Sequence, residues 1–154
     1  MQTKAEIAAM YRAHADMVYR VCFTCLKGHR MDTEDALQAT FLALIRCGKH
    51  FESGSHLKAW LIVTASNVCK NMLKRSHRKD VPLDPGLHAE APPQDETLHA
   101  VLQLPDTERL CVYLHYYEGY SAREIGGMIR KTESTVWGYL HKGRGMLKAL
   151  LKEN

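Results

Sequence analysis

The chain has 154 residues, of which 45% are hydrophobic and 25% charged, the composition of an ordinary globular protein. These values exclude wholesale disorder and a fibrous architecture. No apolar run approaches the roughly 18 residues that span a bilayer, and the first residues lack the basic-then-apolar order of a secretory signal, so we expect a cytoplasmic protein without membrane insertion. Five cysteines, an odd number scattered through apolar segments, are expected to be free core thiols.

The charge is distributed unevenly along the chain. The net charge is +4, but residues 1–79 hold 13 Lys and Arg against 6 Asp and Glu, and residues 80–94 hold three acids and no base. Residues 95–154 hold eight of each sign, with six of the bases and one acid between Arg130 and Lys152. Two basic patches of this kind predict a polyanionic partner.

The prolines divide the chain. Four of the five fall between Val81 and Pro93, in a segment without helical periodicity, which predicts a linker over residues 80–94. Two small domains follow, residues 1–79 and 95–154. No segment alternates apolar and polar residues, so the predicted fold class is all-α.

The N-terminal piece is predicted to form three helices. Apolar residues at three- and four-residue spacing over 7–26 indicate an amphipathic helix that ends near Gly28. Asp32 is a candidate N-cap for a second helix that stops at Gly48. One face of this helix is predicted to carry Ala36, Leu37, Thr40, Phe41, Leu44 and Ile45. A third helix is predicted over about 56–77.

The third predicted helix has an apolar face and a polar, basic face. Trp60 shares the register of Leu57 and Leu61, which favours core packing over a role as a stacking wedge. The other face carries Asn67, Lys70, Asn71, Lys74, Arg75 and Arg78. Charged faces often only solvate a helix, but Lys70 and Lys74 are four residues apart and suit a row of phosphates.

The C-terminal piece is predicted to contain a helix-turn-helix. Pro105 suits the first turn of a helix that ends at Gly119. Ser121 and Glu124 fit a capping box that begins a short helix over 122–129. Thr132 then caps a longer helix with the predicted buried stripe Val136, Leu140, Met146, Leu147 and Leu150. The tight turn and the basic second helix are typical of a DNA-binding helix-turn-helix.

These segments resemble, in order, the conserved regions of bacterial sigma factors. The second helix resembles their core-polymerase-binding helix in Asp32-Thr33-Glu34-Asp35-Ala36-Leu37-Gln38-Ala39-Thr40-Phe41-Leu42. The third resembles their promoter-melting helix in Leu57-Lys58-Ala59-Trp60-Leu61 and Asn67. The C-terminal piece resembles their region 4 in Leu104-Pro105, Tyr116-Tyr117-Glu118-Gly119-Tyr120-Ser121-Ala122-Arg123-Glu124-Ile125, Thr132-Glu133-Ser134-Thr135-Val136 and Leu140-His141-Lys142-Gly143-Arg144. Together they resemble the two-domain, extracytoplasmic-function (ECF) type of sigma factor over nearly the whole chain.

The resemblance implies that the second helix binds a coiled coil of core RNA polymerase. The implied contacts are Asp32, Asp35, Gln38 and Phe41. For Asp32, stabilisation by the helix N-terminus is an equally open explanation. Where the family usually has Glu, this chain has Ala39.

The resemblance also implies that the third helix reads the minus-ten promoter element. The implied contacts are its six polar-face residues, Asn67, Lys70, Asn71, Lys74, Arg75 and Arg78. The loop Phe51 to His56 would form a pocket for a base taken out of the stack. Val63 stands where the family commonly has Arg.

The helix-turn-helix is implied to read the minus-thirty-five element. The implied contacts are Arg123, Glu133, Ser134, Trp137, Gly138, His141, Lys142 and Arg144. The family's usual Lys-Ser-Arg after Val136 is here Trp137-Gly138-Tyr139, which removes two cations and adds a glycine that costs a helix about 1 kcal/mol. Weak or unusual recognition of this element is therefore our hypothesis. Arg130 replaces the glycine often found at the turn.

The implied partners are core RNA polymerase, promoter DNA and an anti-sigma factor. We find no catalytic constellation, metal-ligand set or cofactor motif, so we expect no enzyme activity, metal or cofactor. Cys22 and Cys25 form a Cys-x-x-Cys, for which core packing is favoured over half a zinc site or a redox pair. Two alternatives remain: a stand-alone helix-turn-helix regulator with an N-terminal dimerisation domain, and a thiol-based sensor.

Overall fold

A computed structural model describes residues 3–78 and 96–152 of the chain, without the side chains of 76–78. Every regular element in these two ranges is helical, which confirms the all-α prediction. The chain divides into two compact units, Met1–His88 and Ala89–Asn154. The division falls within 80–94, the predicted linker, whose own conformation lies outside the described residues. The domain bounds themselves stay a prediction.

The first unit is a bundle of three helices, each packed against the other two: α1 (Lys4–Cys25), α2 (Arg30–Cys47) and α3 (Gly54–Arg78). Its core is aliphatic, with a few small polar or sulfur-containing side chains. The fully buried members include Val18, Val21, Leu44, Leu61, Ile62 and Ala65. All five cysteines of the chain are free, as predicted.

The helix boundaries of this unit follow the turn residues. Lys27 and Gly28 have φ of 56° and 81°, so α1 ends just before the predicted stop. The N-cap of α2 is His29, and Asp32 lies in the first turn instead, so the prediction of Asp32 as N-cap was wrong. The helix starts as soon as the chain leaves the left-handed turn. Its end at Gly48, with φ of 64°, is as predicted.

The second unit contains four α-helices: α4 (Glu96–Leu102), α5 (Asp106–Val112), α6 (Ala122–Ile129) and α7 (Glu133–Lys152). A π turn, Tyr113–Tyr117, extends α5, and the Glu118 N–H donates to the Tyr113 carbonyl at 3.3 Å. The long helix α7 packs against the three others. The bounds predicted for α6 are confirmed, whereas α4 was not predicted.

Packing between α5 and α7 is close at one glycine. A Cβ added at Gly143 would lie 2.7 Å from Cγ2 of Val112. Gly143 therefore belongs to the buried stripe of α7 with Val136 and Leu140, while Met146, predicted to be buried, is exposed. The spacing of apolar residues alone did not predict the contact at Gly143.

A buried arginine ties the start of α5 together. Arg109 donates to the Leu104 carbonyl and to the Asp106 carboxylate, each at 2.6 Å. Pro105 serves as the N-cap of α5 and lies one residue before the helix rather than in its first turn. These contacts fix the α4–α5 corner on which α7 rests.

Candidate functional site

One face of α2 carries an exposed stripe of five side chains, which we call the α2 stripe. Its members alternate at four- and three-residue spacing: Met31, Asp35, Gln38, Leu42 and Ile45. The three apolar members are about half exposed, at 52%, 48% and 52% for Met31, Leu42 and Ile45. This alternation is the spacing of side chains along a coiled-coil seam. The α2 stripe is therefore shaped to pack against further helices.

The four residues predicted to bind polymerase separate into two groups. Asp35 and Gln38 lie on the α2 stripe. Phe41 is only 6% exposed, and its ring packs edge-on against Tyr11 with centroids 4.9 Å apart, so it supports α2 from inside. Asp32 is half-buried in the first turn, where the partial positive charge of the helix N-terminus favours a carboxylate.

Sequence reasoning missed the apolar members of the α2 stripe. Ile45 was expected to share the buried face with Leu44, yet Leu44 is fully buried and Ile45 is exposed. The available signal was an excess of apolar residues, more than one face of a helix can bury.

The polar face of α3 is exposed along its length. Asn67, Lys70, Asn71, Lys74 and Arg75 all face solvent, opposite the buried stripe Leu57, Leu61, Ala65 and Cys69. Arg78 is the last residue of the helix, and its side chain lies outside the described part of the chain. The described cations and amides thus form one continuous surface.

Aromatic rings cluster where the loop enters α3. Phe51 packs edge-on against His56 and Trp60, with centroids 5.2 and 5.6 Å apart. The backbone N–H of Glu52 donates to Nδ1 of His56 at 3.4 Å, and the Ser53 hydroxyl accepts from the His56 N–H at 3.1 Å. Trp60 is half-buried, so it is partly a core residue and partly a wall of this cluster. Ring faces of this kind can stack with an unpaired base.

The helix-turn-helix begins with the predicted capping box. The Ser121 hydroxyl accepts from the Glu124 N–H at 3.1 Å, and the Glu124 carboxylate accepts from the Ser121 N–H at 2.9 Å. Hydrogen bonding of the Glu124 carboxylate to the Ser121 backbone N–H, and then to the Ser121 side chain, lowers the pKa of Glu124.

The turn between α6 and α7 is tight. A Cβ added at Gly126 would lie 2.6 Å from the Lys131 carbonyl oxygen. Arg130 adopts φ of 60° and ψ of 47°, the left-handed conformation that favours glycine. The Thr132 hydroxyl accepts from the Thr135 N–H at 3.1 Å and caps α7 as predicted.

All residues predicted to read the minus-thirty-five element are exposed: Arg123, Glu133, Ser134, Trp137, Gly138, His141, Lys142 and Arg144. Lys142 also reaches back toward α5, where its Nζ lies 4.0 Å from the nearly buried Glu108 carboxylate. Part of its charge is therefore engaged within the domain.

Trp137 stands among other rings, a group that we call the Trp137 cluster: Trp137, His115 and Tyr116. His115 packs edge-on against Trp137 and Tyr116, with centroids 5.8 and 4.7 Å apart. Nδ1 of His115 lies 2.8 Å from the Tyr120 carbonyl oxygen. The sequence pointed to Trp137 but not to the rings that hold it, because the π turn that places His115 has no clear sequence signal.

The Cys-x-x-Cys thiols are packed in the first unit. Cys22 and Cys25 are buried beside Cys69, and hydrogen bonds to both, followed by burial, raise the pKa of the Cys69 thiol. No group of three or more His, Cys, Asp or Glu within the described ranges is arranged to hold a metal ion. Among the described helices, none combines the length and the apolar character needed to cross a membrane.

Comparison with known proteins matches both units. The family model for Sigma-70 region 2 matches residues 10–79, and that for Sigma-70, region 4, matches residues 94–147. The ECF RNA polymerase sigma factor SigE of Mycolicibacterium smegmatis is 30% identical over 94% of this chain, which spans 61% of that relative's length. RNA polymerase sigma factor CarQ of Myxococcus xanthus is 32% identical over 78% of this chain and 75% of its own.

A solved structure has a similar fold. It is that of the sigma factor RpoE in complex with the anti-sigma factor NepR from Bartonella quintana. The TM-score is 0.71 at 21% identity, covering 92% of this chain and 94% of that one. The similarity extends over the helices of both units.

Proposed function

Because the chain belongs to the extracytoplasmic-function type of RNA polymerase sigma factors, we propose that it binds core RNA polymerase and directs promoter-specific transcription initiation. The observation that carries this proposal is that the two sigma regions match in order on two helical units. Each unit also leaves its expected binding face exposed. The protein itself performs no chemistry, since synthesis belongs to the polymerase.

The α2 stripe is the proposed polymerase contact. A helix partner would bury the half-exposed Met31, Leu42 and Ile45, while Asp35 and Gln38 would supply polar contacts between them. Burying apolar side chains at about 25 cal/mol per Å² provides the affinity, and the polar members set the register.

The two DNA elements are assigned to separate units. We propose that two surfaces of the first unit hold the opened minus-ten strand. The cations on the polar face of α3 contact its phosphates. The rings of Phe51, His56 and Trp60 lie beside its bases. The second helix of the helix-turn-helix, α7, is proposed to enter the major groove at the minus-thirty-five element.

Location and regulation follow from these partners. We place the protein in the cytoplasm, where promoter DNA and polymerase are found. An anti-sigma factor is the proposed regulator, as NepR is a partner of the related RpoE. The exposed apolar residues of the α2 stripe are the surface that such a protein would have to cover.

The test is run-off transcription with purified core polymerase and a genomic DNA library, with and without this protein. We expect new start sites only when the protein is present. Gln38→Ala and Leu42→Glu should weaken polymerase binding, the second by more than tenfold because it buries a charge in an apolar contact. Lys74→Ala should leave polymerase binding intact and reduce promoter opening.

Arg12→Ala is the matched control, since Arg12 is exposed on α1, a helix that carries neither of the two surfaces. It should change neither readout. Unchanged start sites in the presence of bound wild-type protein would contradict the proposed function. Association with DNA but not with polymerase would favour the stand-alone regulator.

A further inference from the structure

Trp137 is a large apolar side chain that α7 leaves outside the core. It is 50% exposed, whereas Val136 and Leu140 beside it are buried. It is the fifth residue of the second helix of the helix-turn-helix. In this motif the residues of the N-terminal part of the second helix contact base edges.

The indole is held in place before any ligand arrives. His115 packs edge-on against it, and His115 is itself held by the ring of Tyr116 and by its Nδ1 at 2.8 Å from the Tyr120 carbonyl oxygen. A side chain with restricted motion loses less conformational freedom when it binds. The Trp137 cluster therefore presents a fixed apolar surface to whatever α7 contacts.

The neighbours of Trp137 on α7 include no Lys or Arg. The residues adjacent to it, or three or four positions away, are Glu133, Ser134, Val136, Gly138, Leu140 and His141. Gly138 has no side chain, and nothing lies within 4 Å of the place a Cβ would take, so the surface beside the indole is open. The commonest specific contact, a bidentate Arg or Lys on guanine, is absent from this part of the helix.

We infer that Trp137 is a specificity-determining residue that contacts thymine through its 5-methyl group in the minus-thirty-five element. Thymine is the base that displays an apolar group in the major groove, and the indole offers an apolar face with a single N–H donor. This inference rests on the proposed function. It adds which base is recognised where Trp137-Gly138-Tyr139 replaces the family's usual Lys-Ser-Arg. Recognition here gains from apolar burial what it loses in cations.

The test has two steps. The wild-type holoenzyme, this chain with core polymerase, first selects its preferred minus-thirty-five sequence from a randomised duplex library. Each thymine of that sequence is then replaced by uracil, which removes only the methyl group. We expect one or two replacements to weaken binding about fourfold each, the factor for exposing one methyl-sized apolar group.

Trp137→Ala should abolish the difference between thymine and uracil while keeping the protein bound to polymerase. The matched control is Met146→Ala, which removes another exposed apolar side chain from α7 and should retain the fourfold difference. If a sequence is selected and uracil binds as well as thymine at every position, the inference is wrong and the proposed function stands.

Two other results are also decisive. If Trp137→Ala weakens polymerase binding and leaves the thymine preference unchanged, the cluster is a protein contact and the inference is overturned. If the holoenzyme selects no sequence at this element, the proposed reading by α7 fails, and the inference fails with it.

Discussion

Two glycines on α7 are expected to respond oppositely to the same substitution. Gly143→Ala places a Cβ 2.7 Å from Cγ2 of Val112, a stiff β-branched side chain, and should destabilise the protein by about 1–3 kcal/mol. Gly145→Ala meets nothing within 4 Å on an exposed face and should stabilise it by roughly 1 kcal/mol through helix propensity. Urea unfolding of both variants measures the two signs. Equal shifts would refute close α5–α7 packing at Gly143.

At Arg130 the sequence indicates a substitution, whereas the backbone conformation is known only from the structure. The sequence indicated a departure from glycine at the turn, and the structure shows that the backbone keeps the conformation in which glycine is favoured, with φ of 60°. A side chain in that region costs about 1–2 kcal/mol. A hydrogen bond from the Lys131 N–H to the Gly126 carbonyl, at 2.9 Å, closes the turn in this conformation despite that cost.

At the scale of one element, the capping box of α6 should make stability depend on pH. Hydrogen bonds from Ser121 lower the pKa of Glu124. The contribution of Glu124 to the free energy of unfolding is therefore complete at pH values above the ordinary carboxyl pKa, and it is lost as pH falls through the lowered pKa. Urea unfolding of wild type should therefore show a loss between pH 6 and pH 3. Glu124→Gln keeps an acceptor without a titrating group and should lose less over that interval. Identical losses in the two proteins would contradict the assignment.

Elements with local partners could be predicted from the sequence, and elements set by distant packing could not. The start of α6 followed from Ser121 and Glu124, whose side chains and backbone N–H groups hydrogen-bond to each other within one turn. The start of α2 did not follow from Asp32, because the left-handed turn before it brings the cap three residues earlier. Helix α4 has only seven residues, too few for a helical periodicity of apolar residues to stand out, and it is packed against α5 and α7.

For the whole molecule, the charge division along the chain predicts a salt-dependent interaction with DNA. In the holoenzyme, the Lys70→Ala and Lys74→Ala double variant should reduce the slope of log affinity against log salt by about 1.4 on a promoter with a single-stranded minus-ten segment, roughly 0.7 per lost phosphate contact. The same exchange at Arg12 should leave the slope unchanged. An unaltered slope in the double variant would mean that these lysines only solvate α3.

The candidate site was predictable where a surface is polar, and less so where it is apolar. The exposed cations and amides of α3 and the exposed cations of α7 were identified because such side chains are rarely buried without a partner and so are expected at the surface. Leu42 and Ile45 were missed, since an apolar residue on a helix predicts a core position unless the partner is known. Phe41 shows the converse, being matched by family resemblance but buried against Tyr11.

The contact between His115 and Trp137 of α7 depends on the number of residues in the π turn, Tyr113–Tyr117, that follows α5. Its backbone hydrogen bonds span one or two more residues than those of an α-helix, from the N–H groups of Glu118 and Tyr120 to the carbonyls of Tyr113 and Leu114. The π turn determines the direction in which the His115 side chain projects from the helix. The His115 ring is the one that packs against Trp137. A deletion of one residue there would rotate the following positions by about 100° and withdraw the imidazole. Relatives with an identical α7 but a different length in this segment would then prefer different promoters.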